Sequence, residues 1–556
     1  MIIASSRRAL VATVAAIAAV GGALVAVHYQ RVDLTLSHYD ARGHLVVARR
    51  IVDSITPGWQ QIGAVWLPLP HLLNVVPVQV DAFYRTGASA VAISIASFAA
   101  ATGAIAWIAV AITGSTPAAV VAAAVFAFNP NMLYLQATPM TEPLLLALTT
   151  GAVALLIAWC NLARHASTRS ACPEPVEGRT PSASPRASVV GWVFALACMT
   201  RYEAWPVTVC ALGGAVWARW RQGDSVAAAA RQVGEIAAYP ALAAGVFLVF
   251  SRVVIGHWFM VGGFFVPENK ALGAPLVAAA EIWWGTRMLS RSLILAMGAA
   301  GTGAIVALSL VRRRDASATL ALSLMASAVL PWAAFVKGHP FRVRYMVPLL
   351  AVEAIGVGVV AGLIHGALSR RATIDAELAE RAEPQFSAVS ASSALIVVVA
   401  ALVAYQLRPL DMSAPMVMEA QWDRPNVAAR QRVTDCLGVP QPGTKIMASM
   451  GSLGHYMQET SGAGFSIRDF LHEGNGDIWL AALEEGPRRF ADWVLIEEKA
   501  EGGDLLAERV RQRPHFLDGY ARSCEGAGLA LYERTDDSRL KAQGSRKPQA
   551  QALPEP

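Results

Sequence analysis

Long apolar stretches alternate with short polar breaks along the first 406 residues of the chain. A helix needs about 20 mostly apolar residues to cross a bilayer, and fewer where neighbouring protein shields its ends. The pattern predicts eleven membrane-spanning helices, at residues 9–28, 88–112, 116–130, 143–163, 188–200, 203–218, 235–255, 288–311, 316–336, 345–367 and 389–406. We therefore expect an α-helical polytopic membrane domain over residues 1–406.

The pattern changes after residue 406, where polar residues become frequent and apolar runs become short. Runs rich in β-branched and aromatic residues predict strands at 445–449, 464–468, 492–497 and 528–533. Helical repeats lie between or around them, so we expect a small soluble α/β domain over residues 407–534. The polar, Pro-rich stretch 535–556 and the loop 171–188 are predicted to be unstructured.

Composition excludes a soluble protein of this length. Hydrophobic residues make up 55% of the chain and charged residues only 15%, and the mean hydropathy is +0.43. Soluble domains carry about 25% charged residues. The net charge of +6 does not indicate a nucleic-acid partner, because it comes mostly from arginines in loops that flank the apolar segments.

The arginines predict the orientation. Every second loop is basic, and the basic positions are Arg7, Arg8, Arg164, Arg169, Arg179, Arg186, Arg219, Arg221, Arg231, Arg312, Arg313, Arg314, Arg370 and Arg371. Such loops stay in the cytoplasm. We therefore expect a cytoplasmic N-terminus in the cell (plasma or inner) membrane. With eleven spans, the C-terminal domain lies outside.

Acidic and basic residues also gather in the predicted outer loops, at the ends of spans. The long first outer loop, residues 29–87, begins with a predicted amphipathic helix on which Asp40 and His44 share a face. The later outer loops contribute Glu142, Arg201, Glu203, Lys337, Arg342 and Arg344. Cationic side chains at this level bind lipid phosphate, and a carboxylate beside them accepts a proton from a hydroxyl.

Four of these loop sequences, HYDARGH, PMTEP, MTRYEAW and GHPFRVRYMVPLL, carry a family resemblance. Over residues 1–405 the chain resembles the GT-C superfamily of membrane glycosyltransferases, in particular the group of protein O-mannosyltransferases and aminoarabinose transferases. The resemblance implies transfer of a hexosyl or pentosyl group from a polyprenyl-phosphate donor to an acceptor hydroxyl of a protein, lipid or polysaccharide on the outer face. The first loop lacks the adjacent Asp-Glu pair of the protein mannosyltransferases.

The resemblance implies that an acid of the first outer loop is the catalytic base, and the charge and outer-loop position of the other residues indicate their roles. Asp40 is the expected catalytic base, with Glu142 as the second catalytic carboxylate. The expected substrate-binding residues are His44, Arg201, Glu203, Lys337, Arg342 and Arg344. No tightly bound cofactor and no metal site are predicted, because the histidines are scattered and no D-x-D, Walker or Rossmann motif occurs.

Structural roles compete with these functions. Ser37 and Asp40 have the spacing of a capping box, and Glu142 suits the N-terminus of a helix through the dipole. Arg201 and Glu203 can pair with each other, and outer-loop arginines can anchor the protein at lipid headgroups. For the whole chain, the alternatives are a secondary transporter or lipid flippase, or a non-catalytic scaffold with an outer binding domain.

Two of the six cysteines, Cys436 and Cys524, lie in the soluble tail, and no other cysteine does. An outer compartment permits disulfides. We therefore expect these two residues to form a bridge.

Overall fold

The structure, a computed structural model, describes residues 2–63, 65–169, 185–254, 256, 258, 269–378, 401–500 and 503–535. The chain forms two compact units. The membrane unit comprises Met1–Ala41, Gly63–Asn74 and Thr86–Gln421, and the C-terminal unit comprises Arg42–Ile62, Val75–Arg85 and Trp422–Pro556. The unstructured segments and the eleventh span predicted from the sequence lie almost wholly outside the described residues.

The described part of the first 421 residues is mostly helical. The α-helices are α1 (Ile2–Arg31), α2 (Tyr39–Arg50), α3 (Leu69–Asn74), α4 (Asp81–Thr86), α5 (Ala88–Thr113), α6 (Thr116–Ala127), α7 (Pro130–Leu135), α8 (Glu142–Arg169), α9 (Ala187–Cys198), α10 (Ala204–Arg221), α11 (Val226–Val254), α12 (Pro275–Leu289), α13 (Ser292–Val311), α14 (Val329–Val336), α15 (Leu349–Leu378) and α16 (Pro415–Gln421). Two 3-10 helices, Arg313–Ala328 and Val343–Met346, precede α14 and α15.

Seven segments of the described chain are long and apolar enough to cross a membrane. They are Arg7–Arg31, Ala88–Thr113, Glu142–Asn161, Val226–Val254, Ser292–Val311, Asp315–Val336 and Leu349–Arg370. The apolar helices α6 and α9 are shorter. Helices occupy each of the first ten predicted spans, which makes the chain a multi-pass membrane protein. Helix α12 was not predicted.

Close packing of α13 against α15 fixes the second half of the membrane unit. A Cβ added to Gly301 would lie 1.9 Å from the Gly356 carbonyl oxygen, and one added to Gly356 would lie 2.3 Å from the Gly298 oxygen. Only glycine lets two backbones approach this closely, as in other membrane helix pairs. The 3-10 helix that carries Arg344 leads directly into α15, so this packing also fixes the position of Arg344.

The C-terminal unit contains one five-stranded sheet. Its strands are β1 (Ile446–Ala448), β2 (Phe470–Leu471), β3 (Trp493–Glu497), β4 (Tyr520–Gly526) and β5 (Leu529–Arg534), in the spatial order β2-β1-β3-β5-β4. The pairs β1–β2 and β1–β3 are parallel, with Ile446 opposite Phe470 and Trp493. The pairs β3–β5 and β4–β5 are antiparallel.

Four helices accompany the sheet: α17 (Arg424–Leu437), α18 (Met450–Glu459), α19 (Asp477–Glu485) and α20 (Leu505–Gln512). Part of the first loop belongs to the same unit. Ile55 packs against the core formed by Met447, Trp479 and Val494, and Asp53 pairs with Arg468 at 2.8 Å. These parts of the long first loop therefore contribute to the fold of the C-terminal unit.

Two details of this unit differ from the predicted elements. The strand predicted at 464–468 is wrong, because Ser466 and Asp469 form a capping box on a 3-10 turn and the strand begins at Phe470. Strand β4 was not predicted. Cys436 of α17 and Cys524 of β4 are joined by a disulfide, with their Cα atoms 6.4 Å apart.

Candidate active site

A buried turn between α1 and α2 positions Asp40. The backbone N–H of Leu34 donates to the carbonyl of Tyr29 at 3.0 Å, and the Tyr134 hydroxyl donates to the Leu34 carbonyl at 3.0 Å. The rings of Tyr29 and Tyr134 meet edge to face at 5.1 Å, and both side chains are fully buried. Aromatic packing and these hydrogen bonds thus hold the entry to α2.

The Asp40 carboxylate pairs with Arg344. Arg344 Nη1 donates to Asp40 Oδ2, across 304 residues of sequence, and both side chains are buried. Burial alone would lower the pKa of Arg344, but the Asp40 carboxylate, followed by Tyr345, Tyr39 and Glu142, raises it well above its usual value. Arg344 is therefore a permanent cation, and it stabilises Asp40 as the anion.

A second ion-pair cluster surrounds Arg201, in the turn between α9 and α10. Arg201 Nη1 donates to Glu142 Oε1 at 2.9 Å and to the Thr141 hydroxyl at 3.0 Å. Arg201 Nη2 donates to Glu203 Oε1 at 2.7 Å. Burial opposes the charge of Arg201, but Glu142 and Glu203 together raise its pKa. The expected Arg201–Glu203 pair is present, and Glu142 extends it.

The two clusters lie close enough to influence each other. Glu142 is among the groups that raise the pKa of Arg344, and the charge of Arg344 opposes that of Arg201. Glu142 is fully buried, and its Oε2 atom has no hydrogen-bond partner among the described residues. The fold thus brings five predicted residues, from four distant segments, into one polar region within an apolar unit.

The capping box predicted for Ser37 and Asp40 is wrong. The Asp40 N–H, which that motif would place on the Ser37 hydroxyl, donates to His38 Nδ1 at 3.1 Å. The Ser37 hydroxyl donates instead to the Ala420 carbonyl at 2.6 Å. His38 therefore caps the helix, and the Asp40 side chain is directed to Arg344.

The remaining predicted site residues differ in their placement. Arg342 is half-buried and acts electrostatically on Tyr39, beside Asp40. Lys337 is exposed at the end of α14 and makes no side-chain hydrogen bond or ion pair within the part of the chain that the structure describes. His44 is buried on α2, one turn after Asp40, and belongs to the C-terminal unit.

Sequence reasoning missed Glu419 and the role of His38. Glu419 is buried on α16, and its Oε1 atom lies 3.6 Å from His38 Nε2. The available signal was a single acid within the apolar run APMVMEAQW, shortly after the last predicted span. An acid in such a run is expected to be paired or functional when it is buried.

The arrangement combines anionic oxygens with permanent cations in a buried environment. Such a region can hold an anionic headgroup on Arg344 and Arg342 through charge-assisted hydrogen bonds. It can also offer Asp40 or Glu142 as a proton acceptor for a hydroxyl. The low local dielectric strengthens both interactions relative to bulk water.

No family model matches the sequence, and no curated protein matches it. Among solved structures, ArnT from Cupriavidus metallidurans bound to undecaprenyl phosphate is similar, with a TM-score of 0.53 and 12% identity over 93% of this chain and 98% of that chain. The apo form of ArnT gives a TM-score of 0.52 and 13% identity over the same shares. The chain therefore has the GT-C fold that its loop motifs predict.

Proposed function

We propose that the protein is a membrane glycosyltransferase that moves a sugar from a polyprenyl-phosphate donor to an acceptor hydroxyl on the outer face of the membrane. The buried Asp40–Arg344 pair carries this proposal, because it places a candidate base and a phosphate-binding cation together. The Arg201 cluster stands beside it. The shared fold supports it, since ArnT binds undecaprenyl phosphate.

Arg344 and Arg342 bind the phosphate of the donor in this proposal. Arg344 is neutralised by Asp40 when no substrate is bound. A phosphate that enters the site accepts hydrogen bonds from the Arg344 guanidinium in place of Asp40, which leaves Asp40 available as a base. Its polyprenyl chain remains in the bilayer between the helices.

The transfer is a single displacement at the anomeric carbon. The acceptor oxygen forms a bond to this carbon while the bond to the phosphate oxygen breaks, and the acceptor proton moves to Asp40. Polyprenyl phosphate leaves as an anion that Arg344 and Arg342 stabilise. The configuration at the anomeric carbon is inverted in this scheme.

Glu142 and Arg201 complete the site. Arg201 is held by two carboxylates, so it presents a fixed cation beside Arg344. The unpartnered Oε2 atom of Glu142 is positioned to accept a hydrogen bond from a sugar or acceptor hydroxyl. The Cys436–Cys524 disulfide supports an outer, oxidising location for the C-terminal unit.

The proposal is tested with purified protein reconstituted in sealed lipid vesicles. Undecaprenyl-phosphate donors that carry a labelled hexose, pentose or aminopentose are offered together with a hydroxyl acceptor mixture of peptides, lipids and polysaccharides. We expect release of undecaprenyl phosphate and transfer of label from one donor class. Movement of intact donor across a bilayer without bond cleavage would favour the flippase alternative and overturn the proposal.

A further inference from the structure

Helix α16, which follows the last predicted span, is attached to the turn that carries Asp40. The Ser37 hydroxyl donates to the Ala420 carbonyl at 2.6 Å, and Glu419 Oε1 lies 3.6 Å from His38 Nε2. The other end of α16 is also held, because the Met416 N–H donates to Asn131 Oδ1 of α7 at 3.0 Å. Since α7 also supplies Tyr134 to the Asp40 turn, these contacts form a closed frame.

The hydrogen bond from the Asp40 N–H defines the tautomer of His38. Its Nδ1 atom accepts the Asp40 N–H, so the ring hydrogen of the neutral imidazole lies on Nε2, the atom that faces Glu419. At 3.6 Å this contact is longer than a hydrogen bond. A shift of under 1 Å would close it, and no other described residue donates to either Glu419 oxygen.

Glu419 remains an anion in this environment. Burial alone would raise its pKa, but His38, Arg344 and Arg342 together hold it below its usual value. A buried carboxylate without hydrogen-bond donors is costly. A group retained at such a cost at one step from a catalytic carboxylate is a candidate for a role in the reaction.

We propose that Glu419 and His38 are positioning residues, which orient the Asp40 backbone and set the electrostatic balance between Asp40 and Arg344 during transfer. This inference rests on the proposed function. Glu419 aligns the imidazole through Nε2, and the imidazole holds the N–H of Asp40 through Nδ1. The charged and titratable groups that face the couple are Tyr39, Asp40, Arg342 and Arg344.

The electrostatic role of Glu419 predicts a shift in the pH profile of the transfer rate. Glu419→Gln keeps the shape of the side chain but removes a negative charge, so the arginines are less compensated. Asp40 then stays ionised to lower pH. The acid limb of the transfer rate should move down by about half a pH unit or more. Glu485→Gln, at an exposed position whose surface pair with Arg489 is the one that it breaks among the described residues, should not move this limb.

The positioning role of His38 predicts that turnover falls by different amounts in different His38 variants. His38→Ala removes the cap and the contact with Glu419, and we expect turnover to fall about tenfold with the donor KM changed by less than about twofold. His38→Asn keeps an acceptor at the Nδ1 position and should recover part of this loss. Glu419→Gln should lower turnover less in the His38→Asn protein than in the wild type, because His38→Asn already removes the contact with Glu419.

Hydrogen exchange provides a readout that does not depend on activity. Exchange of the amides of residues 38–41 should become about tenfold faster in Glu419→Ala, while exchange in α13 stays unchanged. If the amides of residues 38–41 exchange in Glu419→Ala at the wild-type rate, this inference is overturned. It is also overturned if an active Glu419→Gln protein has the wild-type pH profile. Neither result contradicts the proposed function. Absence of transfer by the wild-type protein with every donor overturns the proposed function and this inference with it.

Discussion

Replacing Arg344 by methionine tests whether the Asp40–Arg344 pair is the electrostatic centre of the membrane unit. The substitution keeps a long side chain but removes the guanidinium from a position that is only 8% exposed. Asp40, at 7% exposure, is then a buried carboxylate without its arginine. Breaking a buried pair from one side is more costly than replacing both partners.

The magnitude follows from the geometry. At hydrogen-bonding separation two unit charges attract by about 5 kcal/mol with an effective dielectric constant near 20. Loss of one partner from a buried pair typically costs about 3–5 kcal/mol. Asp40→Asn in the same protein removes the carboxylate charge that has lost Arg344. The double variant should therefore regain at least about 2 kcal/mol relative to Arg344→Met alone.

The assay is equilibrium unfolding by denaturant in detergent micelles, with the single variants, the double variant and the wild type at pH 7. The stability of Arg344→Met should rise as the pH falls, since protonation of Asp40 relieves the buried charge. If Arg344→Met is as stable as the wild type, or if the double variant is no more stable than Arg344→Met, the pairing argument is refuted.

Three further predictions concern other parts of the chain. Replacing Cys436 and Cys524 by serine opens a loop of 88 residues and should cost up to about 4–5 kcal/mol, seen as faster proteolysis of the C-terminal unit. Gly356→Leu should abolish stable folding in detergent by forcing α13 from α15, whereas Gly303→Leu, at a position where an added Cβ meets nothing within 4 Å, should be tolerated. Burial, with Asp504, raises the pKa of Glu497 from 4.5 to about 7, so its stabilising contribution is complete below pH 4.5 and is lost as the pH rises through 7. Denaturant unfolding across that interval should show this loss in the wild type but not in Glu497→Gln.

Much of the membrane unit could be predicted because membrane spans follow from the order of apolar and polar residues along the chain alone. A run of apolar residues must become a helix in a bilayer, so each of the first ten predicted spans contains a helix. The polar residues at the ends of these spans were visible for the same reason. Their pairing was not, because Asp40 and Arg344 are 304 residues apart and only the packed helices bring them together.

Competing hydrogen-bond partners and weak sequence signals explain why some elements were predicted wrongly or missed. The spacing of Ser37 and Asp40 favours a capping box, but the Ser37 hydroxyl finds the Ala420 carbonyl and leaves the cap to His38. Strand β4 carries mostly polar, partly exposed residues, so its sequence lacks the alternation that marks a half-buried strand. Helix α12 follows a loop and has no strong start signal apart from Pro275.

The most direct test of the central claim is the rate of sugar transfer by Asp40→Asn, measured beside the matched variant Asp518→Asn. Asparagine keeps the size of the side chain and an acceptor oxygen for the Arg344 guanidinium, and His38 rather than Asp40 caps α2, so the variant should fold and bind undecaprenyl phosphate. Asp518 is exposed and, among the residues that the structure describes, pairs only with His515 on the surface, so its variant controls for the loss of one carboxylate. We predict that Asp40→Asn lowers turnover by about two orders of magnitude or more while Asp518→Asn leaves it unchanged. A folded Asp40→Asn protein that transfers sugar at the wild-type rate would contradict the assignment of Asp40 as the base.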